Sequence, residues 1–115
     1  MKTLEDIRQR AAKFADDRDW QQFQSPKNLA MALSIEVAEL LEHFQWLTEA
    51  QSKSLEPETL AEVADEIADV QLYLVRLADE LNIDIVQSVA NKADKNELKY
   101  PVDKVKGSAK KYTRY

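Results

Sequence analysis

Two pairs of acidic residues at the same spacing lie in the centre of this 115-residue sequence. Each pair places two carboxylates three residues apart, and residues at that spacing share one face of an α-helix. Like charges on one helical face repel each other, so an isolated helix gains nothing from this arrangement. The pairs are Glu36 with Glu39 and Glu66 with Asp69. If their two helices pack side by side, we expect a positively charged group between them.

The charge around these pairs is strongly unbalanced. Between Asn28 and Val75 there are ten acidic residues and one basic residue, Lys53, for a net charge of −9. A single Glu-x-x-Glu is usually a solvated helix face, but two such pairs with almost no neutralising cation are more specific. Purely oxygen ligands suit Mg²⁺, Mn²⁺ or Ca²⁺ better than zinc or copper. A divalent-metal site and a solvated acidic surface both remain open at this point.

The one histidine does not decide between a metal site and a solvated acidic surface. His43 follows Glu39 by four residues, so the Glu-x-x-His spacing of di-iron helical bundles is absent. A partly exposed surface histidine is the simpler interpretation. Ferritin-like oxygen chemistry is therefore not expected.

Composition and periodicity predict an all-α fold. One glycine and three prolines leave little material for β-turns, whereas good helix formers abound. We expect one domain over residues 1–115, built as an antiparallel four-helix bundle, with 101–115 a basic and mobile tail. The predicted helices run from the Thr3 cap to about Arg18, from Pro26 to about Trp46 or Leu47, from about Glu58 to Leu81, and from Asp84 to about Leu98.

The two central helices carry apolar stripes at helical spacing, and these stripes predict the core. The core residues predicted on the second helix are Leu29, Leu33, Val37, Leu40, Leu41, Phe44 and Leu47. Those predicted on the third helix are Leu60, Val63, Ala64, Ile67, Val70, Leu74, Ala78 and Leu81.

Several classes of protein are disfavoured. No cysteine is present, so disulfides and thiolate metal sites are impossible, and a cytosolic location is expected. No signal peptide or membrane span is recognisable, and the net charge of −5 argues against binding a nucleic-acid polymer. Gly107 is the only glycine, which excludes a glycine-rich phosphate loop.

Aromatic and basic residues outside the stripes are candidates for nucleotide binding. Trp20, Trp46 and Tyr73 could stack on a base, although each could equally pack between helices. Lys92 and Asn96 could bind phosphate, although lysines near a helix end also suit the helix dipole.

Together these parts resemble a known family. The chain is similar to the MazG-type, all-α nucleoside triphosphate pyrophosphohydrolases, and most closely to the small dCTP pyrophosphatases. The matching stretches are DRDWQQFQSPKN, ALSIEVAELLEHFQW, EVADEIADVQLYLVRLA and NKADKNELKYP, with a looser match at GSAKKYT. Relatives carry histidine near the base pocket where this chain has Ala11 and Gln24, so strict cytosine specificity does not transfer directly.

The resemblance implies a function and a ligand set. It implies hydrolysis of a (deoxy)nucleoside triphosphate to the monophosphate and pyrophosphate by a homotetramer built as a dimer of dimers. It also implies contacts of Lys92 and Asn96 with the triphosphate, and of Trp46 and Tyr73 with base and sugar. Finally, it implies Mg²⁺, with Mn²⁺ as a possible substitute, held by the four carboxylates Glu36, Glu39, Glu66 and Asp69.

In such a site a carboxylate orients or deprotonates the attacking water, and Glu36 and Glu39 are the candidates. The expected substrate is dCTP or a modified pyrimidine deoxynucleotide. Two alternatives remain: a non-enzymatic helical interaction module whose acidic seam docks a basic partner, and a related hydrolase that prefers dUTP or a dinucleoside diphosphate.

Overall fold

The computed structural model describes residues 1–109 and Thr113, and this part of the chain is helical without any β-strand. The all-α prediction is confirmed. A short 3₁₀ turn, Gln21–Phe23, precedes the second helix. The α-helices are α1 (Leu4–Asp17), α2 (Pro26–Glu42), α3 (Glu49–Ser52), α4 (Pro57–Glu80), α5 (Ile85–Lys99) and α6 (Val102–Val105).

The chain forms two compact units, Met1–Ile83 and Asp84–Tyr115. The first unit holds α1 to α4, and the second holds α5 and α6. The expectation of a single domain over residues 1–115 stays a prediction. None of the helices in the described part of the chain is both long and apolar enough to cross a bilayer.

Helix starts follow the predicted capping residues. Thr3 accepts a hydrogen bond from the backbone N–H of Asp6, and the Asp6 carboxylate accepts from the backbone N–H of Thr3, which completes a capping box. Ser25 caps α2 ahead of a proline at the first helical position. Asp84 accepts from the backbone N–H of Gln87 and caps α5.

The second helix ends earlier than the apolar pattern predicts. It stops at Glu42, and tight hydrogen bonds of the i to i+3 type then turn the chain, including one of 3.0 Å from the N–H of Leu47 to the carbonyl of Phe44. Thr48 opens α3 immediately afterwards with its own capping box. Trp46 therefore lies in a turn and not on α2 as predicted.

The tail is also more ordered near its start than expected. Pro101 precedes one further helical turn, Val102–Val105. The basic residues Lys110, Lys111 and Arg114, on which the prediction of a mobile basic tail partly depends, lie outside the described residues.

The core of the first unit forms where α1 and α2 each pack on α4. Leu29 of α2 is 1% exposed, and Val63 and Val75 of α4 are also buried. Small residues allow close approach of the helix backbones, and Ala15 of α1 and Ala78 of α4 are both buried.

Part of the predicted core is on the surface. Val37, Leu41, Leu60, Ile67 and Leu74 are 40–57% exposed, so their assignment to the core is wrong for the single chain. The apolar pattern wraps further around α2 and α4 than their mutual contact can cover, because α1 and α2 each cover only one side of α4.

Candidate metal and nucleotide site

The two predicted carboxylate pairs face each other because α2 and α4 pack antiparallel. Glu36 interacts electrostatically with Asp69 and Glu66. His43, the C-cap of α2 about two turns after Glu36, lies beside the earlier residue Glu62, with 3.7 Å between its Nδ1 and a carboxylate oxygen. Residue numbers thus rise along α2 as they fall along α4. In this antiparallel arrangement the acidic face of α2 lies opposite the acidic face of α4.

Three carboxylates converge between the helices. Glu36, Glu39 and Glu66 each offer one oxygen, and these oxygens all lie within 4.8 Å of one another. The three residues are neither fully buried nor fully exposed. Ligand oxygens around a single Mg²⁺ at about 2.1 Å are separated by roughly 3 to 4 Å, so the cluster has the dimensions of a hard-cation site.

Two oxygens of this cluster have no hydrogen-bond partner. Oε2 of Glu36 and Oε2 of Glu66 are inaccessible to solvent, and nothing in the described part of the chain donates to either atom. A buried carboxylate oxygen without a donor is destabilising, and buried charges in proteins are normally paired or bound to a metal. The donor chemistry and the unpaired oxygens both fit a divalent cation.

The same arrangement shifts the acidity of the cluster. Burial, followed by the neighbouring carboxylate of Glu39 and the charges of Asp69 and Glu66, raises the pKa of Glu36 to about 7. Burial and the charge of Glu39 also raise the pKa of Glu66. Without a cation, Glu36 therefore holds its proton more tightly than an ordinary glutamate does. A bound cation would favour the ionised forms.

Asp69 and His43 border the cluster. Asp69 is half-buried, three residues after Glu66 on α4, and its charge raises the pKa of both Glu36 and Glu66. The His43 side chain is 20% exposed, and its charge acts in the opposite sense on Glu66. The structure thus brings three of the four predicted ligands into one cluster and leaves Asp69 at its edge.

The predicted aromatic residues differ in their settings. Tyr73 is half-buried on α4, one turn beyond Asp69. Trp20 is 45% exposed in the loop before α2, and its ring meets that of Phe14 edge-on with 5.6 Å between centroids. Trp46 is 85% exposed in the turn after α2. No contact joins the three rings in the described part of the chain.

The predicted phosphate ligands belong to the second unit. Lys92 and Asn96 are both exposed and lie four residues apart on α5, which puts them on one face of that helix. Their role at the carboxylate cluster stays a prediction.

Sequence reasoning missed one buried charged residue, Arg76 of α4. Its guanidinium donates to Gln24, Asp79 and Glu80. A signal was present, because two acidic residues follow this arginine by three and four positions on the same helix. Of the two positions where the sequence departs from the resembling family, Ala11 is buried in α1 and Gln24 is this acceptor of Arg76.

Comparisons with known proteins show the family of this chain. The family model described as MazG-like family matches residues 31–114, which contain all four predicted metal ligands. The chain is 48% identical to dCTP pyrophosphatase 1 of Mus musculus, 46% to that of Rattus norvegicus and 43% to that of Homo sapiens, each over 113 residues and 96% of this chain. It spans 66% of the length of each of these relatives, just under two thirds.

One solved structure extends the comparison to three dimensions. The crystal structure of a pyrophosphatase from Archaeoglobus fulgidus DSM 4304 superposes with a TM-score of 0.76 at 44% sequence identity. The superposition covers 84% of this chain and 91% of that chain.

Proposed function

The chain belongs to the MazG-like family, and on that basis we propose that it is a divalent-metal-dependent nucleoside triphosphate pyrophosphohydrolase. Its substrate is a deoxynucleoside triphosphate, dCTP or a modified pyrimidine deoxynucleotide, and its products are the monophosphate and pyrophosphate. The observation that carries the proposal is the cluster of Glu36, Glu39 and Glu66 with two buried oxygens that lack a donor. The similarity to proteins named dCTP pyrophosphatase 1 supports the choice of substrate.

In this proposal Mg²⁺, for which Mn²⁺ can substitute, is held by Glu36, Glu39, Glu66 and Asp69. A bound divalent ion neutralises the triphosphate oxygens, stabilises the leaving pyrophosphate and lowers the pKa of bound water. The all-oxygen donor set suits such a hard cation. Asp69 lies three residues from Glu66 on the same helical face, within reach of a ligand that the other three hold.

The protein's own groups handle the proton and the orientation of the water. Either Glu36 or Glu39 accepts a proton from the attacking water as its oxygen bonds to the α-phosphorus. The bond from the α-phosphorus to the bridging oxygen breaks, and that oxygen leaves with the β- and γ-phosphates as pyrophosphate. The proton on the glutamate is then released to solvent, which restores the site.

The substrate is held by groups from several segments. We assign Trp20, Trp46 and Tyr73 to the base and sugar, and Lys92 and Asn96 to the triphosphate. Support for Tyr73 comes from its place on α4, one turn from Asp69 and two turns from Glu66. The exposed ring of Trp20 and the nearly fully exposed ring of Trp46 are free to stack on a flat base.

The proposal includes a homo-oligomer, a tetramer made as a dimer of dimers. Its support is an exposed apolar stripe on α4 with heptad spacing, the pattern of a helix–helix seam. These residues are between 40% and 56% exposed in the single chain. The stripe consists of Leu60, Ile67, Leu74 and Leu81.

A direct assay tests the activity. Purified protein with Mg²⁺ and dCTP should yield dCMP and pyrophosphate, detected as orthophosphate only after inorganic pyrophosphatase is added. Orthophosphate released without that second enzyme would show that a different bond is cleaved. The same assay across all natural and common modified nucleoside triphosphates, including dUTP, identifies the preferred triphosphate. Dinucleoside diphosphates are tested by chromatography of the products, because their cleavage gives two monophosphates and no pyrophosphate. Absence of any turnover, together with salt-sensitive binding of a basic peptide, would support the docking-module alternative instead.

A further inference from the structure

Arg76 is the buried charged residue of the described part of the chain, with 5% of its surface exposed. Each of its guanidinium nitrogens has a hydrogen-bond acceptor. Nε donates to Oε1 of Gln24 at 3.0 Å, Nη1 donates to Oδ2 of Asp79 at 3.1 Å, and Nη2 donates to Oε1 of Glu80 at 2.6 Å. Burying an arginine requires such partners, because an unpaired charge in the interior is strongly destabilising.

These contacts exclude one obvious role for Arg76. An arginine near a phosphate-binding site could serve as a phosphate ligand through its paired N–H donors. Here the charge is already balanced by Asp79 and Glu80, and the side chain is almost completely shielded from solvent. Arg76 therefore acts on other parts of the protein and not on a bound anion.

The contact of Arg76 with Gln24 joins α4 to the loop before α2, and both segments belong to the proposed site. Gln24 ends the loop that carries Trp20 and Phe23, and backbone hydrogen bonds tie these residues together: Phe23 N–H to Trp20 O at 2.9 Å and Gln24 N–H to Gln21 O at 3.1 Å. Trp20 is also held to α1 by its backbone N–H, which donates to the carbonyl of Ala15, and Phe23 is held to α2 by the side chain of Asn28. The Gln24 side chain adds the attachment of the loop to α4. Among the side-chain hydrogen bonds of residues 1–109, this one links the loop to α4.

Arg76 also lies on the helical face that carries the proposed site. At 100° per residue, positions 66, 69, 73 and 76 of α4 fall within about 80° of arc. Arg76 follows Tyr73 by one turn, so the face presents, in order, two acidic residues, an aromatic ring and this anchored arginine. The aromatic loop is thereby attached at the end of the face that lies beyond the carboxylates.

We propose that Arg76 is a positioning residue that holds the loop bearing Trp20 and Phe23 at the nucleotide-binding end of the α4 face through its hydrogen bond to Gln24. The effect of Arg76 on substrate affinity rests on the proposed function, in which the aromatic rings of the loop contact the base and the position of the loop determines the affinity for substrate. Arg76 takes no part in bond cleavage.

Kinetics of matched Gln24 variants test the proposal. Gln24→Met preserves the size of the side chain but removes the acceptor, and we expect KM for the nucleotide to rise about 10-fold with kcat nearly unchanged, as when binding alone is weakened. Gln24→Glu keeps an acceptor for Nε of Arg76, so its KM should stay near the wild-type value. Equal increases in KM for both variants would overturn the proposal, because they would mean that Gln24 acts on the substrate directly.

A double-mutant cycle separates positioning from general stability. Arg76→Lys keeps a positive charge beside Asp79 and Glu80 but lacks the Nε donor. In that background Gln24→Met should raise KM little further, whereas additive effects would contradict the coupling. Arg8→Gln is the control, since Arg8 donates to the other oxygen of Asp79 at 3.2 Å without touching the loop. It should lower the melting temperature and leave KM unchanged.

Fluorescence provides a measurement that needs no turnover. The chain has two tryptophans, so Trp46→Phe leaves Trp20 as the only one. In this background, without nucleotide, Gln24→Met should increase acrylamide quenching of Trp20, and Gln24→Glu and Arg8→Gln should not. Unchanged quenching in Gln24→Met would overturn the positioning role. A wild-type protein that turns over no nucleotide would instead refute the proposed function, and the quenching result would still decide the position of the loop.

Discussion

In the proposed function, a side chain of the acidic cluster is unfavourable for the stability of the metal-free protein and is needed for binding the metal. The Oε2 atom of Glu66 is buried without a donor, beside two other carboxylates. In the absence of a cation this placement destabilises the fold through desolvation and repulsion. Functional sites often retain residues of this kind at the expense of stability.

Glu66→Gln should therefore separate stability from activity. The substitution removes one charge from the cluster, so the metal-free protein should melt at a higher temperature than wild type. The same change should lower kcat by about 10²- to 10³-fold, the scale found for electrostatic catalytic groups. Calorimetry in EDTA and the pyrophosphate-release assay measure the two effects.

The matched control is Glu62→Gln, one turn earlier on the same face, whose side chain is 66% exposed and lies outside the cluster. We expect Glu62→Gln to change neither the melting temperature in EDTA nor kcat appreciably. A fall in kcat for Glu62→Gln comparable to that of Glu66→Gln would mean that the metal centre extends further along α4 than the cluster indicates.

The raised pKa values of Glu36 and Glu66 predict a pH dependence for the stability of the metal-free protein. The pKa of Glu36 rises from 4.5 to about 7 on folding, so the folded protein binds this proton more tightly than the unfolded chain. That contribution to stability is complete below pH 4.5 and is lost as the pH rises through about 7. The melting temperature in EDTA should fall over this interval, and the fall should be smaller in Glu36→Gln.

Carboxylates with lowered pKa act in a different pH window. An ion pair with Arg8 lowers the pKa of Glu5 to about 2, and the stabilisation from this pair is lost only as the pH falls below about 4.5.

Added Mg²⁺ should abolish the loss of stability that the metal-free protein shows near neutral pH, because the cation favours the ionised form of the acidic cluster. A melting temperature in EDTA that rises from pH 5 to pH 7 in wild type but not in Glu36→Gln would contradict the raised pKa of Glu36.

The cluster of three carboxylates could be predicted from the sequence, because spacing and charge together indicate it. Its role as a metal site stays a prediction. Glu36 and Glu39 share a helical face whatever the tertiary structure, and so do Glu66 and Asp69. The ion pairs of Arg76 with Asp79 and Glu80 could be predicted from their spacing. Its burial and its contact with Gln24 could not, since arginine is rarely buried and Gln24 lies 52 positions away. Long-range hydrogen bonds of this kind leave no periodic signal in a sequence.

At the scale of helices and turns, the N-termini were predictable and one C-terminus was not. Ser25 and Pro26 predict the start of α2, because serine caps a helix with its side chain and proline has a backbone angle that suits the first helical position. Nothing comparable marks the end of α2, since the apolar pattern continues through Phe44 to Leu47 while the chain already turns. The apolar pattern alone therefore does not predict the C-terminal end of a helix that lacks a glycine or proline there.

The cap of α2 offers a simple stability test. Ser25→Ala removes the oxygen that accepts from the backbone N–H of Asn28 at 3.2 Å, and it should lower the free energy of unfolding by about 1 kcal/mol. Chemical denaturation measures the change.

Ser34→Ala is the control within the same helix. The hydroxyl of Ser34 donates to the carbonyl of Met31, a bond that competes weakly with the helix, so alanine there should be neutral or slightly stabilising. If both variants lost equal stability, the cap would not be the reason for the effect of Ser25→Ala.

At the scale of the whole molecule, the exposed α4 stripe is the clearest disagreement between the predicted core and the structure of one chain. Leu60, Ile67, Leu74 and Leu81 recur every seven residues, and a solvent-exposed row of this length is unusual on a surface that stays exposed. The sequence pattern predicts burial, but it does not say whether the covering surface comes from the same chain or from another.

A charge in the stripe should break the proposed oligomer. Ile67 is 55% exposed in the single chain, so Ile67→Glu should be tolerated by the monomer but not by an apolar interface. The mass measured by light scattering after size exclusion should fall at least about twofold relative to wild type, as expected when a symmetric interface is lost. Leu72→Glu, which lies more than about 100° around α4, should leave the mass unchanged. A wild-type mass equal to that of one chain would refute the oligomer.

The acidic partners of Arg76 have a consequence for how the molecule is assembled. Asp79 and Glu80 follow Arg76 by three and four residues, so the helix supplies its own counter-ions. The counter-ions of the guanidinium therefore come from α4 itself, whereas Gln24 and Arg8 come from distant parts of the chain. Arg76, Asp79 and Glu80 together carry a net charge of −1, and Arg8 of α1, which donates to Asp79, brings the sum of the four side chains to zero. The packing of α1 on α4 thus joins opposite charges.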